Sequence, residues 1–253
     1  MKTCILSILL ISMGWLISCE KQNIEAFHGR RQIYFEKFYM DAVYPGTAEA
    51  DSTVTSFFLY PEGTSQIKAK VVVNLSGDSL TSDLTFGLRV IKEGTTANPN
   101  EYVLDDFYTF HAKPLNKAKE IKDTIEIKLN SSDRLEGLGA TGLRLMVELV
   151  PNEQLDLGQY ERRRAIIIWS YVEAQPDWWD KEVSFELLGD YSPRKYQLFL
   201  KHADKNGEME EFIKNSPDKA IALVVTFKQW LADNANDPEY GAEYQEILES
   251  LKI

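Results

Sequence analysis

The chain has 253 residues, a formal net charge of −11, 44% hydrophobic residues and 11% aromatic residues. That apolar and aromatic content excludes a disordered chain, and the acidic balance excludes a surface that draws nucleic acid or anionic membrane by net charge. The only cysteines are Cys4 and Cys19, which excludes a disulfide framework or a cysteine metal site anywhere beyond residue 19.

Met1 and Lys2 give a short positive start, and Ile5–Ile17 is apolar apart from Ser7, Ser12 and Gly14. A run this short falls below the roughly 20 apolar residues of a membrane-spanning helix and fits the h-region of a signal peptide. It ends Leu16-Ile17-Ser18-Cys19, which resembles a bacterial lipobox. That resemblance implies cleavage after residue 18 and acylation of Cys19, and more than one acyl chain is needed for firm anchoring. Residues 1–18 are thus expected to be a lipoprotein signal peptide and 19–30 a lipidated tether. The tether has only Glu20 before Lys21-Gln22-Asn23 and does not match the acidic cluster of surface-exported lipoproteins. The expected location is the outer membrane, lipid-anchored, with the cell surface favoured over the periplasmic face.

Residues 31–175 read as strands. Ile67, Ala69, Val71, Val73 and Leu75 alternate with polar neighbours, as do Leu84, Phe86, Leu88 and Val90. Ile125, Ile127 and Leu129 repeat the pattern, and so do Leu143, Leu145, Val147 and Leu149. Period-two alternation of this kind marks half-buried strands. Turn residues separate the runs at Ser76-Gly77-Asp78, 94–100, 130–133 and Pro151-Asn152. Seven or eight short strands without crossover helices predict an antiparallel, immunoglobulin-like β-sandwich.

The pattern changes at residue 176. Trp178 and Trp179 precede a strand-like stretch over 183–187, and helical spacing then takes over. Ser192-Pro193 and Ser216-Pro217 read as N-caps followed by a first-turn proline, and Asp237-Pro238 opens a last helix. The helix after Pro217 carries Ile221, Leu223, Val224, Val225, Phe227, Trp230 and Leu231, which predicts burial on most sides. Residues 176–253 are therefore expected to form a small C-terminal α-helical subdomain.

Trp178, Trp179, Leu188, Gly189, Tyr191, Ser192, Lys195 and Tyr196 together resemble the signature of a Bacteroidota lipoprotein family of unknown function. Its pattern is a tryptophan pair leading into LG-x-YS-x-x-KY. The run from Val71 to Val90 also resembles a Calx-β-type sandwich. The family resemblance implies association with a SusC/SusD-like nutrient uptake complex, with a glycan or peptide as ligand. It supplies no catalytic residues.

The residues themselves point away from catalysis. Gly77-Asp78-Ser79-Leu80 matches the GDSL esterase motif, but a serine nucleophile needs a histidine base and an orienting acid. None of His28, His111 and His202 lies three after an aspartate. Three scattered histidines give no transition-metal spacing, and Asp105-Asp106 is too sparse for calcium, which takes six to eight oxygens. No metal, cofactor or catalytic residue is expected. Trp178 and Trp179 are the candidate ligand- or partner-binding residues, because large aromatics serve as stacking platforms and interface anchors. The competing reading places one or both indoles in the seam between sandwich and helices. The expected function is a non-enzymatic accessory lipoprotein. The alternative is a surface hydrolase acting on the same nutrient through paired carboxylates.

Overall fold

The alternating runs do form strands. The computed structural model describes residues 30–37, 52–77, 80–113 and 122–253. Cys19, the signal segment, Asp78 and Ser79 lie outside the described residues. Ten strands occur among the described residues: β1 (Arg31–Phe35), β2 (Thr53–Ser56), β3 (Gln66–Ser76), β4 (Leu84–Val90), β5 (Tyr102–Val103), β6 (Tyr108–Phe110), β7 (Lys122–Asn130), β8 (Leu143–Val150), β9 (Leu155–Leu157) and β10 (Arg164–Ser170).

They build two five-stranded sheets, ordered β5-β7-β3-β1-β9 and β2-β10-β8-β4-β6. In the first, Ile67, Ala69 and Val71 of β3 stand opposite Leu129, Ile127 and Ile125 of β7, all of them buried. In the second, Leu145 and Val147 of β8 stand opposite Ile167 and Ala165 of β10. These residues meet in one core between the sheets, together with Phe35, Phe86, Phe110 and Trp169.

The sheets are mixed rather than wholly antiparallel, which corrects the expectation of an antiparallel sandwich. β1 pairs in parallel with β9, and β2 in parallel with β10. Both pairs join strands far apart in sequence, where no tight turn dictates direction. The four edge strands span only two to four residues, against eleven in central β3. Short edges offer little template for another chain to pair with.

Six α-helices follow among the described residues. α1 (Arg134–Leu138) is a single turn between β7 and β8. α2 (Lys181–Val183) runs into a π-helical turn over Ser184–Leu188. α3 (Pro193–His202), α4 (Met209–Asn215), α5 (Pro217–Asp233) and α6 (Gly241–Ser250) complete the chain. The expected strand at 183–187 is therefore helical. The Asp180 side chain accepts the Glu182 and Val183 N–H groups at 2.9 and 3.0 Å, an N-cap that starts a helix there. The two serine caps fall where expected, and Ser192 accepts the Lys195 N–H at 3.2 Å. α6 begins later than Asp237-Pro238 suggests, because Asp237 Oδ1 accepts the Glu239 and Tyr240 N–H groups and spends those residues on a turn.

The helices enclose a second core of Trp179, Tyr196, Phe199, Val224 and Phe227, against which Phe58 and Leu59 of the sandwich pack. α5 is buried on one face only. Ile221 is 46% and Val225 52% exposed, so burial on most sides is not found. Residues 31–253 form one compact unit.

Candidate binding groove

The tryptophan pair divides its labour. Trp179 is fully buried, and its indole N–H donates to Gly189 O at 3.0 Å. Tyr191 and Tyr196 meet its ring edge-on at 5.4 and 6.1 Å. Trp179 is therefore a core residue and presents no face to a ligand. Trp178 stacks on it at 5.6 Å and 20° and leans on Tyr196 and Phe199 at 6.0 and 6.3 Å. It stays half-buried, and its remaining surface lines a groove.

The rest of the signature forms a clasp around this pair. Gly189 has φ +71°, and a Cβ there would sit 2.3 Å from Ser250 O, so the position requires glycine. Buried Lys195 donates from Nζ to Leu188 O at 3.1 Å and Asp190 O at 2.8 Å. Burial pulls its pKa below the ordinary lysine value. The Tyr191 hydroxyl donates to Ala174 O at 2.7 Å. The Tyr196 hydroxyl donates to Leu59 O at 2.5 Å, and burial raises its pKa far above the usual. Gln197 Nε2 donates to Phe58 O at 2.8 Å. These bonds tie α3 and the turn at 188–190 to the sandwich.

The groove of about 480 Å³ lies along this seam, within the roughly 300–1,000 Å³ of small-molecule sites. Trp178 and Tyr60 give it aromatic surface. Thr53 and Thr55 of edge strand β2, with Gln175 and Asp177, give it polar surface, and Lys70 faces Glu210 across it. Such a mixture of ring faces and hydrogen-bonding groups suits a polar ligand with apolar faces.

The groove's carboxylates with shifted pKa are already engaged. Glu210 lies 2.5 Å from Lys214 Nζ and 3.5 Å from Lys70 Nζ. The Lys214 hydrogen bond leads in holding it below the usual carboxyl range, against an opposing effect of burial. Asp204 is 2% exposed, and burial raises its pKa. Both its oxygens accept main-chain N–H groups, from Glu208 at 2.7 Å and Met209 at 3.0 Å. It caps α4 and is turned away from solvent chemistry.

Elsewhere, Asp105 accepts from Lys128 at 2.9 Å, and His111 Nδ1 lies 2.8 Å from Asp123. Among the described residues no three His, Cys, Asp or Glu side chains are grouped to hold a metal. No described helix is long and apolar enough to cross a membrane.

Sequence reasoning found Trp178. It missed Tyr60 and the β2 side chains, which reach the groove only because β2 docks beside β10 from over a hundred residues away.

Two five-stranded mixed sheets with a helical C-terminal layer and a seam groove define the class of molecule. The chain belongs to the family described as Domain of unknown function (DUF4843), whose match spans residues 27–205. The match takes in both sheets, the tryptophan pair and α3, and ends before α4. No curated protein matches the sequence.

Among solved structures, the chain is similar to a candidate carbohydrate-binding protein from Bacteroides ovatus, with 13% identity and a TM-score of 0.36, covering 55% of this chain and 36% of that one. It is similar to a two-domain protein of unknown function from Bacteroides fragilis, with 12% identity and a TM-score of 0.32, covering 57% and 46%. It is also similar to the periplasmic chaperone SfaE, with 12% identity and a TM-score of 0.26, covering 50% and 60%. The chain thus spans less than two thirds of each.

Proposed function

We propose that this protein is a non-enzymatic binding lipoprotein of the outer membrane, anchored through Cys19 and facing the cell surface. In this reading it serves a SusC/SusD-like uptake complex by holding a nutrient glycan or peptide in the seam groove. The observation that carries the reading is Trp178. It is a half-buried indole braced from behind by Trp179, Tyr196 and Phe199, with its open side on a groove that also presents hydroxyl, amide and charged groups. An aromatic ring held rigid by its neighbours loses little entropy on binding and makes a good platform. Of the groove's carboxylates, Glu210 is engaged by lysines and Asp204 by main-chain amides, while Glu173 and Asp177 also line it. The immunoglobulin-like description extends to the pairing of two β-sheets around one core and stops at their two parallel strand pairs.

The test has two arms. The full chain, tagged at its C-terminus, is purified from native membranes in mild detergent, and co-purification of a SusC-type transporter with its SusD-like partner is the expected result. Calorimetric titration of the same protein with glycan and peptide fractions should show binding that Trp178→Ala weakens by about tenfold or more. Recovery of the protein alone sinks the complex, and undiminished binding by the variant sinks the groove.

A further inference from the structure

A second depression, reached by Pro61 and Glu62 of the same loop that gives Leu59 and Tyr60 to the groove, differs in charge. It holds about 600 Å³ between α3, α6 and Pro61-Glu62. Arg194, Gln197 and Lys201 fall at i, i+3 and i+7 along α3, which places them on one helix face. Lys205 follows in the next turn, and Tyr240 and Tyr244 close the far wall. Tyr240 is 40% exposed.

The charges are unevenly neutralised. Arg194 is taken by Glu243, with Nε 3.1 Å from Oε1, and Glu62 stands at the rim. Lys201 and Lys205 are exposed, and among the described residues neither has an ion-pair partner. A positive local potential is also felt by His202 next door, which stacks on Trp230 at 3.6 Å. Partial burial first, then the charges of Lys201, Lys205 and Arg194, keep its pKa below the ordinary histidine value. Two ammonium groups without an ion-pair partner thus stand over one concavity.

We propose that this depression is a separate binding site for a sugar-sized organic anion, with Lys201 and Lys205 reading its carboxylate or sulfate. The open part of Tyr240 meets the uncharged body of such a ligand. The cations focus anions into a concave, partly apolar site and raise their local concentration. The ammonium groups act as point charges rather than bidentate forks, so they tolerate a carboxylate and a sulfate alike.

The test uses the purified full chain, with digalacturonate and the neutral galactobiose as probes. At low ionic strength digalacturonate should bind about tenfold more tightly than galactobiose and should weaken several-fold on going to about 0.2 M salt. The Lys201→Ala/Lys205→Ala variant should lose that binding about tenfold or more, with an unchanged melting temperature because both side chains are exposed. The double lysine variant should still bind the glycan or peptide fractions whose binding Trp178→Ala weakens, because neither lysine lines the seam groove, so failure of the seam groove and failure of this site are read separately. Equal binding of the two disaccharides, or digalacturonate binding that survives the double lysine variant, overturns the proposal.

Discussion

Glu148 illustrates how single residues of this protein are held. It is a carboxylate at 8% exposure on the outer side of β8. Arg89 Nε donates to it at 2.7 Å from one side and Arg164 Nε at 2.9 Å from the other. Burial alone would push its pKa up, but the two arginines outweigh burial and hold it below its ordinary value of 4.5. Asp123 is similar: burial raises it, and the main-chain N–H and ring of His111 then hold it below the usual range. With the folded pKa lowered, the unfolded chain binds more protons in acid. The stabilisation is therefore complete above the unfolded carboxyl range and is lost as pH falls through the folded values. Urea midpoints of the natural protein should fall steeply below about pH 4.5. Glu148→Gln should cost about 1–3 kcal/mol at pH 7 and show a flatter acid profile; parallel profiles would remove Glu148 from the account. Tyr196→Phe makes a second residue-scale case. It keeps the ring in the helical core but leaves Leu59 O without its 2.5 Å donor, so a loss of about 1–2 kcal/mol is expected in denaturant titration.

At the scale of elements, two glycines give opposite expectations. Gly189→Ala forces a side chain onto a backbone at φ +71° and within 2.3 Å of Ser250 O. Neither the turn nor the end of α6 can yield cheaply, and the cost should be about 3 kcal/mol or more. Gly137 sits inside α1 with open space where a Cβ would go, so Gly137→Ala should be neutral or stabilise by up to about 1 kcal/mol. Thermal melts of the two variants check both, and equal effects would refute the clasp at residue 189. The same elements mark what the sequence made legible. β3 and β8 were readable because an alternating apolar face is a local pattern, and the caps of α3 and α5 were readable because Ser-Pro is a local signal. β9 and β5 are too short to show a period, and the parallel partners of β1 and β2 are set by contacts distant in sequence. Val183, Phe185 and Leu187 mimic a strand, yet Phe185 is 76% exposed, so their alternation does not mark a buried sheet face. α4 was missed because its cap, Asp204, lies five residues ahead of Met209, across a turn. Trp178 was legible as an aromatic worth watching, but its role depends on Tyr60, Thr53 and Lys70, which no local pattern connects to it.

For the whole molecule, the seam decides whether the helices are an appendage or part of one cooperative fold. Phe58 and Leu59 belong to the sandwich by sequence, yet they pack on the helical core. Their main-chain carbonyls are the acceptors for Gln197 and Tyr196, while Ala174 O at the end of the sandwich accepts from Tyr191. Lys70 of β3 adds an ion pair to Glu210 of α4, though half-exposed pairs contribute little. A chain ending at residue 175 would leave those acceptors without their partners and expose the apolar surface of Phe58 and Leu59. Both effects raise the free energy of the shortened fold. The complete chain should therefore melt in one calorimetric transition, with the van't Hoff enthalpy equal to the measured one. The chain cut at 175 should melt several degrees lower or aggregate. Two resolved transitions in the complete chain, or a truncated sandwich as stable as the whole, would mean that the seam bonds do not couple the two cores. A coupled seam also bears on binding. A ligand bridging Trp178 and the β2 side chains would hold both cores at once, and mass action would raise the melting temperature of the entire unit rather than of one part.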